Sequence, residues 1–429
     1  MHKVLVIGSG GREHAIIHQI KQSEFVSDIF CIPGNAGIAE IAHCFDEIKI
    51  GEHEKIIQFC RLNEIDFVII GSEQPLIDGL SDDLKKAKIN VFGPSKAAAQ
   101  LEGSKIFTKK LCDQFQIPTA KYQAFNDKKK AIAYLNEVEM PIVIKADGIA
   151  AGKGVIIAEN ENDAIIAIEE ILGGKFGKAG NEIVIEEFLF GPEISFFVIC
   201  DGKKGLFFGS AGDHKKVGEG ETGLNTGGMG TYSPSPFVDS EVHSQIMSQI
   251  IEPTLKGMAQ NGCPFIGILF AGIILTKNGP KLLEFNVRLG DPEAQSILPR
   301  LKSDLFKLMF DASKENLNEE VKFSDKKAVC VVLASKGYPE EYQKNTEIKN
   351  LDAAKSENIL IFHAGTKKEN GKLLAIGGRV LGITALADHF IDARKNSYEA
   401  VDKINWPNGF CRRDIAIHAE NYKKPFTHN

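Results

Sequence analysis

The first hundred residues alternate short apolar runs with stretches of helical periodicity. The runs at 3–7, 29–32, 66–70 and 89–92 are continuous rather than alternating, the pattern of strands buried on both faces. Helix-like sequence precedes or follows each one. That rhythm predicts an α/β architecture: a parallel, doubly wound (Rossmann-like) sheet with helices on both faces. Each predicted strand runs into a turn containing Gly or Pro, in the segments GSGGREH, PGNAG, GSEQPL and GPS. In such sheets ligands bind beyond the carboxyl ends of the strands, so these four loops are expected along one edge.

Near Ser104 the pattern changes. A helix carrying Lys105, Lys109 and Lys110 leads to Ile117 and Pro118, and a compact α+β stretch with a strand at 142–145 follows. From 191 to about 317 the chain is strand-rich with glycine-rich connections; strand-like runs at 328–333, 359–362 and 379–384 lie beyond it. The expected organisation is an N-terminal domain at 1–101, a central domain from 102–120 and 191–324, a subdomain inserted at 121–190, and a C-terminal α/β domain at 325–429. No internal repeat or low-complexity tract is present.

Three segments carry most of the candidate chemistry. After the first predicted strand, Gly8, Gly10 and Gly11 precede Arg12, Glu13 and His14. Glycines let the backbone approach an anion, and the next helix offers N–H groups at its start. A dinucleotide fingerprint would need a small residue where Glu13 stands and an acid where Pro33 and Gly34 end the second strand. A ligand-free turn is the plain alternative; a loop for a phosphate or polar substrate is preferred.

The second segment runs from Lys145 through Gly148, Gly152, Lys153 and Gly154 to Val155. A strand-end lysine is ordinarily just solvated, but a loop so rich in glycine is costly to order without a ligand. Lysine and loop together suit nucleotide phosphates beneath a closing lid. The residue order is not that of a P-loop, and no helix follows.

The third segment is a strand at 281–288. Alternation puts Glu284, Asn286 and Arg288 on one face and Leu283, Phe285 and Val287 on the other. A polar strand face can be plain surface. Yet a carboxylate and a carboxamide oxygen suit Mg²⁺, and a guanidinium suits a phosphoryl group in transit. Asp291, Pro292 and Glu293 follow in a turn that brings two more acids to the same spot.

Two weaker signals remain. The run 183–189, followed by Gly191, Pro192 and Glu193, reads as a strand and extended connector whose backbone could meet an adenine edge, with Glu193 near ribose hydroxyls. Two acids at a strand end are more often an exposed terminus. Asp213, His214, Lys215 and Lys216, with the glycine-rich stretch 225–230, match an ordinary surface loop equally well.

Composition then narrows the partners. A net charge of -6 without a basic block speaks against nucleic acid. Apolar content of 43% and charged content of 25% are the proportions of a chain able to pack more than one core. The first apolar run is too short for a signal peptide, and the longest, 266–275, is about half a membrane span. The eight cysteines stand singly, too far apart in sequence for a metal knuckle or a redox pair, which fits a reducing cytoplasm. A cytoplasmic monomer acting on small molecules is expected, with neither nucleic acid nor membrane as partner.

Lys105, the Lys145 loop, the Glu186–Leu189 connector and the Glu284-x-Asn286 strand together resemble the ATP-grasp enzymes. More closely, the chain resembles the phosphoribosylamine–glycine ligase (glycinamide ribonucleotide synthetase) family. The segments GSGGREH, PGNAG, LEGSKIFTK, KADGIAAGKGV, IEEFL, DHKKVGEGETGLNTGGMG, EFNVRLGDPE and HAGT carry that likeness in order along nearly the whole chain.

The resemblance implies an ATP-grasp fold with an N-terminal substrate domain, a flap that lids the ATP, a central ATP domain and a C-terminal domain completing the cleft. It implies phosphates on Lys105, Lys145, Gly152, Lys153 and Gly154, adenine along Glu186, Glu187, Phe188 and Leu189, and ribose on Glu193. Mg²⁺ or Mn²⁺ would sit on Glu284 and Asn286. Many ATP-grasp enzymes add a metal-binding acid on the preceding strand; 266–275 has none. The substrates would meet Gly10, Gly11, Arg12, Glu13, Asn35, Asp213, His214, Lys215, Gly227, Arg288, Asp291, Pro292 and Glu293.

The implied reaction joins glycine to 5-phosphoribosylamine through glycyl phosphate, at the expense of ATP, in de novo purine synthesis. Lys145 and Arg288 would stabilise the transferring phosphoryl group, Asp291 or Glu293 would hold the glycine ammonium, and Asp213 or His214 would accept the proton of the amine. Relatives using formate or bicarbonate would keep the machinery and change the acid. A pyridine-nucleotide oxidoreductase has only the first glycine loop in its favour. A non-catalytic nucleotide-binding module would be expected to lack one of Lys145, Glu284, Asn286 or Arg288, and all are present.

Overall fold

A computed structural model describes residues 1–149 and 154–419. Gly152 and Lys153 lie outside the described residues. The N-terminal sheet is parallel, in the order His43–Cys44, Val26–Pro33, His2–Gly8, Phe67–Ile70, Asn90–Phe92. The strand His43–Cys44 is too short to leave a periodic signal. Leu5 and Ile7 enter one core and Val4 and Val6 another, which is why 3–7 reads as an unbroken apolar run. The helix Gly11–Ile20 packs on the second face through Ala15, Ile16, Ile17 and Ile20, and His53–Leu62 on the first through Ile56, Phe59 and Cys60.

Ser104 starts the next helix, Lys105–Phe115, its hydroxyl accepting the Phe107 N–H. An antiparallel sheet follows in the order Tyr122–Phe125, Ile183–Glu187, Ile142–Ala146, Val155–Ala158. The helices Lys128–Tyr134 and Glu161–Glu170 close over it through Ala131, Ala164, Ala167 and Ile168, giving this stretch a small core of its own.

Nine of the remaining strands build one large sheet, and the others form two small antiparallel sheets, Lys216–Gly218 with Thr222–Asn225, and Thr346–Ile348 with Lys372–Ala375 and Thr366–Glu369. The order of the large sheet is Gly279–Asn286, Ile266–Thr276, Glu193–Asp201, Gly205–Asp213, Gly230–Ser233, Lys327–Ser335, Arg379–Ala387, Ile359–His363, with Gly409–Phe410 beside Lys327–Ser335. All neighbours are antiparallel, and the pairing of Gly230–Ser233 with Lys327–Ser335 carries the sheet across residue 325.

One local expectation is corrected. Gly272 pairs with Glu284 but Ile273 pairs with Leu282, so Leu283 is an extra, bulged residue. The insertion shifts the alternation by one. Leu282, Phe285 and Val287 fill the core, while Leu283 is half-buried. Among the described residues no helix is long and apolar enough to cross a membrane.

Candidate active site

Two lysines from different elements meet on one carboxylate. Lys109 Nζ lies 3.1 Å from Glu186 Oε2 and Lys145 Nζ lies 3.1 Å from Oε1, with all three side chains at most 7% exposed. Two cations sharing one anion in a low-dielectric setting leave net positive charge, which calls for a further anion. Lys145 Nζ also donates to the carbonyl of the bulged Leu283 (3.2 Å), and Lys109 Nζ donates to Thr119 Oγ1 (2.7 Å).

Lys105 Nζ donates to Gly148 O at 3.4 Å. Next to Gly148, Asp147 secures the helix start: its Oδ1 accepts from the Ile106 N–H (2.7 Å), and both carboxylate oxygens lie 3.1 Å from Ser104 Oγ. Burial pulls Lys105 and Lys109 below the ordinary lysine range. Burial pushes Glu284 up, but Lys215, Lys145, Lys105 and Arg288 outweigh it and hold the carboxyl below its usual value.

The connector after this sheet has its own ties. Glu187 Oε1 accepts from Lys121 N–H and Lys281 Nζ, each at 3.0 Å. The Phe188 ring packs edge-on against Phe190 at 4.9 Å, with Leu189 between them in the chain, and Glu193 beyond pairs with Lys215 at 2.7 Å.

Arg288 is the hub of a second network. Its Nη2 lies 2.8 Å from Glu102 Oε1 and donates to Asn286 Oδ1 at 3.1 Å, and its Nε lies 3.3 Å from Glu73 Oε2. The other Glu102 oxygen accepts the Val287 N–H at 2.8 Å. Glu73 also faces Arg12 Nη1 at 3.6 Å, and that nitrogen donates to Gly71 O at 2.7 Å. Burial opposes the ionisation of Glu73, but Arg288 and Arg12 bring its pKa down to about 2.

Beyond Arg12 the network reaches three acids. Asp291 accepts from the Arg12 N–H (3.3 Å) and from Gln295 Nε2 (2.8 Å), and faces Arg379 Nη2 at 3.4 Å. Against the effect of burial, Arg379 and Arg12 hold Asp291 below the usual carboxylate range. Asp213 goes the other way: burial first, then the nearby Glu293, push it well up, with Lys215 and Arg379 opposing. Its Oδ1 is buried without a hydrogen-bond partner. Glu293 Oε1 accepts from Ser195 Oγ at 3.1 Å. Environments that drive neighbouring acids apart are the usual means of giving them different proton duties.

The glycine-rich stretch lies against this cluster. Arg379 Nη1 donates to the carbonyls of Gly227 (2.6 Å), Gly228 (3.3 Å) and Asp291. Gly228, at φ +114°, has no room for a side chain: a Cβ would lie 2.8 Å from Asp213 Oδ1 and 2.5 Å from Pro292 Cδ.

Most of the predicted residues that the structure describes fall within these linked networks, with different freedoms. Gly10 N–H donates to Glu13 Oε2 at 2.6 Å, and Gly11 sits where a Cβ would meet Gln295 Nε2 at 2.2 Å. Asn35 is fully engaged: its amide donates to Ser9 O and His363 O, both at 2.8 Å, and its Oδ1 accepts from Gly37 N–H (2.9 Å) and Ile38 N–H (3.0 Å). Both nitrogens of His214 are engaged too, Nδ1 with Glu221 (3.0 Å) and Nε2 with the Ala416 N–H (3.1 Å). Four residues given no site role from sequence join these networks: Glu73, Glu102, Lys109 and Arg379. Glu73 and Glu102 fall within the segments GSEQPL and LEGSKIFTK and Arg379 opens a predicted strand, but nothing local marks their partners.

The chain matches the family models "Phosphoribosylglycinamide synthetase, N domain" over residues 2–102, "ATP-grasp (A) domain" over 103–294 and "C domain" over 328–418. It is 50% identical over 418 residues to a phosphoribosylamine–glycine ligase of Agrobacterium fabrum, covering 97% of this chain and 98% of that one. The crystal structure of a phosphoribosylamine–glycine ligase from Thermotoga maritima superposes with a TM-score of 0.83 at 32% identity, over 96% of this chain and 100% of that one. A biotin carboxylase–β,γ-ATP complex from Campylobacter jejuni, 15% identical, shares the fold with a TM-score of 0.72 over 95% of this chain and 93% of that one. The fold is that of the ATP-grasp enzymes.

Proposed function

Because this chain belongs to the phosphoribosylglycinamide synthetase family, we propose that its cleft divides the ligation of glycine to phosphoribosylamine among the residues just described. The chain is a phosphoribosylamine–glycine ligase of purine biosynthesis: ATP, glycine and 5-phosphoribosylamine give glycinamide ribonucleotide, ADP and phosphate. The observation that carries the division of labour is the buried Lys109–Glu186–Lys145 group beside Glu284 and Arg288, a site of surplus positive charge suited to a polyphosphate.

In this reading Lys105 and Lys145, with Gly154 and the loop before it, hold the nucleotide phosphates. The Glu186 side chain is committed to its lysines, so adenine takes the main chain of Glu186 to Leu189, and Glu193 meets the ribose. Family members use ATP and a divalent ion. The Glu284 carboxylate and Asn286 Oδ1, two residues apart on one strand, are hard oxygen donors that fit Mg²⁺ or Mn²⁺. Among the described residues no group of three His, Cys, Asp or Glu could hold a metal unaided. The remaining ligands then fall to phosphates and water, the usual habit of Mg²⁺. When bound, the ion neutralises phosphate charge.

A glycine carboxylate oxygen attacks the γ-phosphorus and ADP leaves, giving glycyl phosphate; Arg288, already aimed by Glu102 and Glu73, neutralises the charge that develops. Asp291 and Glu293 hold the glycine ammonium, since a buried cation needs a carboxylate partner. The amine of phosphoribosylamine, lodged against Gly10, Gly11, Arg12 and Glu13, attacks the acyl carbon and phosphate departs. Asp213 takes the proton the amine loses, its raised pKa making it the better acceptor. Lys215, Gly227 and Pro292 line the floor, while Asn35 and His214 brace it. The protein acts as a cytoplasmic monomer with domains at 1–101, 102–120 with 191–324, 121–190 and 325–429.

The test is ADP release with Mg-ATP and glycine, with and without freshly generated phosphoribosylamine. Release that needs both, with glycinamide ribonucleotide seen by mass, supports the assignment. Activity only with another acid or amine would discard these substrates and keep the ATP chemistry.

A further inference from the structure

We propose that Cys31 and Cys44 are a redox modification site, closing to a reversible disulfide when the protein meets a hydroperoxide. Far apart in sequence, the two are register partners on adjacent parallel strands, and both thiols are free. Neighbouring strands run about 4.8 Å apart, inside the Cα separation a disulfide spans, and register partners face the same side. Gly34, at φ +77°, folds the PGNAG turn over both: a Cβ there would lie 2.4 Å from Cys44 Sγ and 3.6 Å from Cys31 Cβ.

Their environments divide the work. Cys44 is half-buried and reachable, whereas Cys31 is 0% exposed. The neighbouring Cys31 thiol and the Asn35 backbone favour the Cys44 thiolate over the opposing effect of burial, while burial pushes Cys31 up. The attacking thiolate is therefore Cys44. Its sulfur bonds to one peroxide oxygen, the O–O bond breaks, and the other oxygen leaves with a proton as alcohol or water. The resulting sulfenic acid condenses with the Cys31 thiol, releasing water and forming S–S. Two thiols lose two electrons in all, and one hydroperoxide is reduced.

The reduced pair ties two loops. Cys31 Sγ donates to Gly8 O at 3.3 Å, and Gly34 closes over Cys44 Sγ. A disulfide has no S–H donor and draws Cys44 toward Cys31, so GSGGREH loses its hydrogen bond and PGNAG its packing on Cys44. The kinetic consequence rests on assigning these loops to phosphoribosylamine; the thiol chemistry does not.

Full-length protein treated with hydrogen peroxide should lose both thiols and yield a Cys31–Cys44 cross-linked peptide. Its KM for phosphoribosylamine should rise about fivefold with that one hydrogen bond lost, with the KM for ATP and glycine steady and dithiothreitol restoring the original value. Cys44→Ser should keep full activity and ignore peroxide, and Cys411→Ser, at the other half-buried cysteine, should respond like the parent. Peroxide inactivation that persists in Cys44→Ser, thiol loss at Cys411 alone, or a Cys31–Cys44 disulfide without kinetic effect would overturn the switch. A cross-link that raises the KM for ATP or glycine instead would uphold the thiol pair and remove the loops from the amine site.

Discussion

Arg288 is fixed before any substrate arrives, because Glu102 and Glu73 grip its guanidinium from two sides. A cation already in position spends nothing on reorientation when charge develops on a phosphoryl group. Arg288→Ala should therefore lower kcat about a hundredfold to a thousandfold while ATP affinity barely changes. Single-turnover ADP release against equilibrium nucleotide binding would measure both, and undiminished turnover would remove the role. Arg288→Lys keeps a charge beside the two acids and separates chemistry from folding. At Asp213 the expectation concerns pH. A proton acceptor works as the carboxylate, so activity should climb with pH through its raised pKa, and Asp213→Asn should lose that limb of the profile. An unchanged profile in the variant would assign the limb elsewhere. Glu284, Asn286 and Arg288 are legible in sequence because a period of two exposes them as one polar face. Glu102 is not, for its partner stands 186 positions away and no local pattern encodes that distance.

Among the elements, the helix Lys105–Phe115 is anchored to the end of the strand Ile142–Ala146 by Asp147, which accepts from the first turn of the helix. Asp147→Ala should cost about 1 kcal/mol in urea unfolding, as lost caps do, and weaken ATP binding through Lys105. Wild-type stability and affinity in the variant would refute that anchor. Element positions were readable where burial makes a continuous run: 142–145 became Ile142–Ala146 and 359–362 became Ile359–His363. The bulge at Leu283 was not readable, because the extra residue is defined by its partner strand and not by its own neighbours. It nonetheless matters to the site, since the Leu283 carbonyl is where Lys145 docks.

Across the whole molecule, the helix Gly11–Ile20 of the N-terminal sheet and the edge strand Ile359–His363 of the large sheet are joined by a buried histidine pair. The His363 N–H donates to His14 Nδ1 at 2.9 Å, and the rings lie 5.7 Å apart. Burial lowers His14 to about 3 and His363 to about 4. Both values lie below that of an unfolded histidine, about 6.5, so on acidification the unfolded chain takes up protons that the folded one refuses. Their contribution to stability is complete above about pH 6.5 and is lost as pH falls toward the folded values. The thermal midpoint should fall between about pH 7 and 5, and His14→Gln should flatten that slope; calorimetry across the range decides it. The large sheet has a different consequence, one for how a gene could be divided. Severing the chain near residue 325 would strip Gly230–Ser233 of its partner Lys327–Ser335 and leave each fragment with a raw edge prone to aggregate. Insertion of a passenger protein belongs instead at the exposed Asn370 and Gly371, where a tight hairpin turns in solvent and every strand pairing stays within one chain.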